Sequence, residues 1–172
     1  TREPQLALRN NTLHTPRLTR TTTPTNPTTT LNPNGTILIT GATGALGKLI
    51  AHHLITHHHI THLHLVSRRG PNAPGATQLH QELTALGAHI TLTAADVTNP
   101  HHITQILNQI PTQHPLTGII HAAGTLDDGI FTALTPHRTS TVLHPKTDAA
   151  HHLHHATQHL TTLTTFILFS SV

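Results

Sequence analysis

The run Thr40-Gly41-Ala42-Thr43-Gly44-Ala45-Leu46-Gly47 places glycines at 41, 44 and 47, between a β-branched stretch and a segment of helical apolar spacing. That arrangement suits the phosphates of a dinucleotide. Gly41 permits the tight turn, Gly44 lets a pyrophosphate approach the backbone, and Gly47 lets the following helix pack close to the strand. The helix opening at Ala45 and Leu46 offers free N–H groups and a partial positive charge to an anion. Thr40 and Thr43 complete the candidate surface. Spaced glycines alone make only a turn, and it is the strand before and the helix after that give these three their meaning.

The next apolar run ends in Ser67-Arg68-Arg69-Gly70. A site for NADH usually holds an acidic residue here, about 20 residues past the glycines, to bind the ribose 2′-hydroxyl. Two guanidiniums and a hydroxyl instead suit a 2′-phosphate, with no carboxylate present to repel it. The residues therefore favour NADPH, the competing reading being a solvated basic turn. Asp96-Val97 closes a third apolar run, where a carboxylate can accept from the adenine amino group. His121-Ala122-Ala123-Gly124 closes a fourth, and its small residues let a cofactor lie against the backbone.

These groups need strands that end in register and helices that return the chain. Thr36–Thr40 (TILIT) reads as a buried parallel strand. A helix is expected over Ala45–His58, with Leu46, Leu49, Ile50 and Leu54 at helical spacing. Further strands are expected over 63–66, 89–93, 118–121 and 165–169. Helices are expected over 78–86, ending at Gly87, over 103–110, closed by Pro111, and from Pro136 to Leu160 with an interruption. This alternation predicts an α/β fold, a Rossmann-type doubly wound parallel sheet of order 3-2-1-4-5. All four chemical groups then lie at the carboxyl ends of strands, where open α/β sheets bind ligands.

Residues 1–34 differ in character. Two short apolar stretches around Asn10-Asn11 within 1–18 suggest a β-hairpin, and 19–34 has the Thr/Pro/Asn composition of an extended linker. Residues 35–172 form the nucleotide-binding unit.

Composition excludes several classes. There is no cysteine, hence no disulfide framework or thiolate chemistry, and no tyrosine, so no phenol of this chain can donate a proton. No apolar run is long enough to span a bilayer, and a soluble, cytoplasmic setting is expected. Lys+Arg number 9 against 6 Asp+Glu, without a basic stripe and with only 3 aromatics, which argues against nucleic acid as a partner. The 21 histidines are unusual. His151 and His155 have i, i+4 spacing but no acidic neighbour, so no specific metal site is expected. The histidines read as solvent-facing helix residues able to bind nickel or zinc adventitiously.

The spacing TGxxGxLG, then SRRG, ADV, HAAG, LDDG, PK and FSS, resembles the short-chain dehydrogenase/reductase family, and in particular the ketoreductase domains of type I modular polyketide synthases. Essentially the whole chain takes part. Residues 3–9 (EPQLALR) and 16–18 (PRL) resemble the tail of the noncatalytic structural subdomain, while 67–75 and 125–135 match features specific to these synthases. The resemblance implies that Ser171, with Ser170 as the alternative, hydrogen-bonds a substrate carbonyl, and that Lys146 supports a proton relay. Taken singly, Lys146 reads as a surface lysine and either serine as a strand-end hydroxyl. Leu126-Asp127-Asp128 resembles the LDD signature of B-type ketoreductases, which implies a D-hydroxy product; a plain turn is the competing reading. The implied activity is NADPH-dependent reduction of a β-ketoacyl group held on an acyl carrier protein's phosphopantetheine arm, with other polyketide synthase domains in cis. A standalone short-chain reductase and a noncatalytic, cofactor-holding remnant are the alternatives. The family's tyrosine and last strands are expected beyond Val172, which leaves the sheet incomplete at the C-terminus. An exposed fifth strand and marginal folding in isolation are then expected.

Overall fold

The computed structural model describes residues 3–20 and 31–170. Most of the expected linker, and Ser171, lie outside the described residues.

The N-terminal hairpin is formed by β1 (Ala7–Arg9) and β2 (Thr12–His14), antiparallel, with Leu8 opposite Leu13. Its two-residue turn puts Asn10 and Asn11 at φ 48° and 59°. A tight hairpin needs positive φ at both positions, and asparagine is among the few residues that tolerate it.

The main sheet contains β3 (Thr36–Thr40), β4 (His62–Ser67), β5 (His89–Ala94), β6 (Leu116–His121) and β7 (Thr165–Leu168). All neighbours are parallel and the order is β5-β4-β3-β6-β7, the predicted 3-2-1-4-5 arrangement. Every residue of β3 is buried, because both faces of the sheet are covered. Ile37 and Ile39 face the helices α1 (Ala45–His58) and α2 (Ala76–Ala85), packing with Ala51, Leu54, Leu79 and Leu83. Leu38 faces the other way, into a second core with Ile103 and Ile106 of α3 (Pro100–Asn108) and Leu153 of α5 (Ala149–Thr157). The period-2 alternation of TILIT thus feeds two separate cores.

Helices α1 and α3 differ from expectation in detail. On α1 the buried stripe is Gly47, Ala51, Leu54 and Ile55, whereas Leu49 is 70% exposed. Gly47, with no side chain, and Ala51, with a small one, let this face of the helix lie close to the sheet and leave Leu49 on the outer side. Helix α3 starts earlier than expected, since Asn99 caps it by accepting from the His101 amide and Pro100 takes the first turn. It also ends at Asn108, short of the proline. The long C-terminal helix is interrupted as anticipated: α4 (Pro136–Leu143) passes through a π-helical turn (His144–Asp148) into α5. In that turn the Ala149 amide bonds the His144 carbonyl five residues back.

Among the described residues β7 is an edge strand, with Ile167 and Leu168 40% and 50% exposed.

Candidate functional site

Strand β3 lies between β4 and β6, so the connection leaving β3 runs over one face of the sheet and that leaving β6 over the other, which opens a crevice between their carboxyl ends. A cleft of about 440 Å³ occupies this place. Its walls include Thr40, Gly41, Thr43, Gly44, Ser67, Arg68, Arg69, Asp96, Val97, Ala122, Ala123 and Gly124, gathering residues from four strand ends. A larger groove of about 700 Å³ lies between α1 and β7, lined by Leu49, Ile50, Phe166 and Ile167. It is mainly apolar, although His53, His58, Thr164 and Thr165 also line it, and the smaller, more polar cleft at the strand ends is the candidate site.

The three glycines have different reasons to be glycine. At Gly41, φ is +68° and a Cβ would sit 2.6 Å from the Ala122 carbonyl oxygen. At Gly47 a Cβ would meet the Gly41 oxygen at 2.5 Å and the Ala42 Cα at 2.6 Å. Both are demanded by the protein's own packing. Gly44 is not: φ is −75°, and the single near atom is the Gly41 oxygen at 3.2 Å. Its open side borders the cleft and gives room for a ligand. Gly44 is also the N-cap of α1, where no side chain caps the helix and no acidic residue occupies the first turn. The amides of Ala45, Leu46 and Gly47 there lack helical acceptors, the arrangement that binds phosphate.

The Ser67 hydroxyl accepts from the Gly70 amide at 3.0 Å, leaving its proton free to donate. Gly70 closes this turn at φ +47°, packed so tightly on β5 that a Cβ would meet the Ala94 amide nitrogen at 2.4 Å. Arg68 and Arg69 are held at the rim by that packing. Asp96 accepts from the Thr98 amide and hydroxyl at 3.0 and 2.8 Å through one carboxylate oxygen. Burial pushes its pKa up, but the Thr98 hydrogen bonds, then Arg68 and His102, outweigh this and hold it below the usual carboxylate range. Asp96 therefore stays ionised.

His121 has a role that its motif does not reveal. Its ring is turned away from the cleft and 2% exposed. Nδ1 lies 2.7 Å from the Thr40 hydroxyl and Nε2 lies 2.7 Å from the Pro145 carbonyl. Burial lowers its pKa, against a smaller opposing effect of the Pro145 bond. A carbonyl only accepts, so Nε2 carries the proton, Nδ1 accepts, and Thr40 donates. The Thr40 side chain is thereby committed to the interior.

The opposite wall comes from the α4 region: Thr141, His144 and Pro145 line the cleft. Lys146 follows, its Cε 3.5 Å from where a Cβ on Gly124 would stand. Its stem thus lies across Gly124. Leu126, Asp127 and Asp128 stand further out, on the loop entering α4. Arg138 of α4 donates through Nε and Nη2 to the two Asp127 carboxylate oxygens, at 2.8 and 2.5 Å. It also donates to the Asp128 carbonyl at 3.0 Å and the Ala133 carbonyl at 3.1 Å. The Arg138 hydrogen bond holds the Asp127 carboxyl below its ordinary range, and Asp127 raises the guanidinium. Asp127 is thus a structural partner, while Asp128 contributes its backbone and leaves its carboxylate out of this network. Leu126 is 78% exposed beside them.

Sequence reasoning missed Arg138, Thr98 and Pro145. The Asp96-Val97-Thr98 run is a legible Asx-turn signal. Nothing in the sequence pairs Arg138 with Asp127 or His121 with Pro145.

Residues 35–172 match the KR domain family. The chain belongs to that family. It is 50% identical over 141 residues to polyketide synthase GfsB of Streptomyces halstedii, covering 82% of this chain and 2% of the synthase. It is 47% identical over 169 residues to the spectinabilin polyketide synthase protein NorA′ of Streptomyces orinoci, covering 98% and 5%. Among solved structures, A-type ketoreductases from a modular polyketide synthase match this KR chain with TM-score 0.84 and 37% identity, over 98% of it and 36% of theirs. The first ketoreductase of the tylosin synthase matches with TM-score 0.81 and 34% identity, over 100% and 37%. The KR chain therefore spans a few per cent of the synthases and little more than a third of the solved ketoreductases.

Proposed function

We propose that this chain forms the NADPH-binding part of a ketoreductase that reduces a β-ketoacyl group, tethered to an acyl carrier protein, to a β-hydroxyacyl group. The observation that carries this reading is the cleft at the switch point, where an uncapped helix N-terminus, the open side of Gly44 and the Arg68–Arg69 turn converge. The donor set fits the cofactor. The amides after Gly44 would take the pyrophosphate, Ser67, Arg68 and Arg69 the 2′-phosphate, and Asp96 with Val97 the adenine. Ala122, Ala123 and Gly124 would floor the path toward the nicotinamide. Bound NADPH supplies a hydride to the carbonyl carbon.

The chain's own residues orient and polarise. Lys146, laid across Gly124, brings a positive charge to the place where negative charge develops on the substrate oxygen. The family resemblance assigns carbonyl hydrogen bonding to Ser171, with Ser170 as its alternative. The chain has no tyrosine, so the phenol proton donor the resemblance implies is not among its residues. We assign cofactor and substrate positioning to the residues of this chain. Leu126 and Asp128, on the loop that Arg138 fixes, support a B-type approach of the carrier arm and a D-hydroxy product. The A-type neighbours share the fold, and the loop residues carry this distinction. The carrier protein and further synthase domains in cis are the partners.

Titration with NADPH and NADH, followed by nicotinamide emission, tests the reading. Saturable binding that prefers NADPH is expected, with the preference lost when Arg68 and Arg69 are both replaced by alanine. Equal affinity for the two nucleotides, or no binding by a folded chain, would overturn it.

A further inference from the structure

We infer that His121 is a positioning residue that sets where Lys146 lies, acting through the Pro145 carbonyl. This deepens the proposed function and rests on it only in giving Lys146 something to do.

The imidazole is almost fully buried at the carboxyl end of β6 and bridges two elements that share no backbone bond here. One nitrogen accepts a hydrogen bond from the Thr40 hydroxyl, at the last residue of β3 before the glycine turn. The other donates to Pro145, inside the π-helical turn. A π turn is an uncommon conformation that surrounding contacts must hold. Proline has no amide to donate here, and the His121 ring adds a hydrogen bond to the Pro145 carbonyl. Lys146 is the next residue, and its stem crosses Gly124, three residues beyond His121. The glycine turn, β6 and the lysine are thus connected by one neutral ring. Thr40 lies on one side of it, on β3, and Pro145 on the other, in the π turn. A charged ring could not accept from Thr40, so the neutral tautomer is part of the device.

The chain has two lysines, Lys48 and Lys146. In a Lys48→Arg background, reductive ¹³C-methylation therefore leaves one lysine signal. The signal is expected to shift between the His121 protein and His121→Phe before any nucleotide is added. NADPH should move it strongly in the former and much less in the latter. Thr40→Val, which removes the donor to Nδ1, should reproduce part of the change, and Thr40→Ser should restore the native signal. A long-range ¹H–¹⁵N spectrum should contain one neutral ring protonated on Nε2 that is absent from His121→Phe.

An unchanged Lys146 signal in folded His121→Phe would overturn the inference. If that variant fails to fold, identical Lys146 signals in Thr40→Val and Thr40→Ser would overturn it instead. Absence of NADPH binding in the His121 protein would count against the proposed function alone, because the unliganded signal still reads the position of Lys146.

Discussion

The two walls of the cleft are built differently. The wall from β3, β4 and β5 is the outward end of a packed sheet, with Leu38, Ile39, Leu65 and Val66 fully buried behind the glycine turn and the arginine pair. The wall from residues 122–148 has little apolar backing: Leu126, Ile130 and Phe131 are 78%, 73% and 88% exposed, and α4 buries none of its residues. It is held by side-chain hydrogen bonds, those of Arg138 to the 127–133 segment and that of His121 to Pro145. The first wall is fixed by burial, which is cooperative and hard to shift. The second is fixed by a few directional contacts, which can be broken one at a time without unfolding the sheet.

The largest effect should separate the walls by stability. Ile39→Ala should cost about 2–5 kcal/mol in urea unfolding, whereas Phe131→Ala should stay within about 0.5 kcal/mol. Comparable losses would erase the distinction.

Acid should act on the packed side next. His64 of β4 is 2% exposed, bonds Thr93 at 2.8 Å, and burial lowers its pKa to about 4. The unfolded chain binds a proton there near pH 6.5, so this contribution is complete above that pH and is lost as the pH falls toward 4. The loss is on the order of 3 kcal/mol. His62 and His121, also lowered, act in the same direction. His64→Gln should flatten the slope of stability against pH between those limits; an unaltered slope would remove His64 as its source.

Two glycine variants sharpen the contrast within the first wall. Gly41→Ala should destabilise by about 1–3 kcal/mol, through its positive φ and the contact with Ala122. Gly44→Ala should leave the melting temperature nearly unchanged yet weaken NADPH binding about tenfold or more, since its Cβ would enter the cleft. Equal effects on stability would mean that Gly44 serves packing rather than a ligand.

The smallest global effect belongs to Arg138. Arg138→Leu should speed amide hydrogen exchange across residues 126–134 while leaving the cooperative melt in place. Unchanged exchange there would show that the loop is held by something other than the guanidinium.

The same contrast explains what could be read without coordinates. Strands β3 to β7, their order, and the strand-end residues of the cleft follow from local patterns, because burial leaves periodic signatures in the chain. The placement of Leu49 was not legible: its spacing fits the apolar face, and only the close approach of Gly47 and Ala51 decides which face that is. Arg138 with Asp127, and His121 with Pro145, each join a residue of a regular element to one in an irregular segment, 11 and 24 residues away. Directional contacts of that kind leave no period to find.

The position of β3 has a consequence for how the molecule is made. Its buried TILIT run needs β4 on one side and β6 on the other, yet β6 begins only at Leu116. At about 5–20 residues per second of synthesis, roughly 4–15 s separate the appearance of Thr40 from that of its second neighbour. During that interval a strand that ends with every residue buried has one edge open, and a nascent chain on the ribosome must keep it from other partners. The first strand of this sheet to be synthesised waits for three later strands before both of its edges are paired.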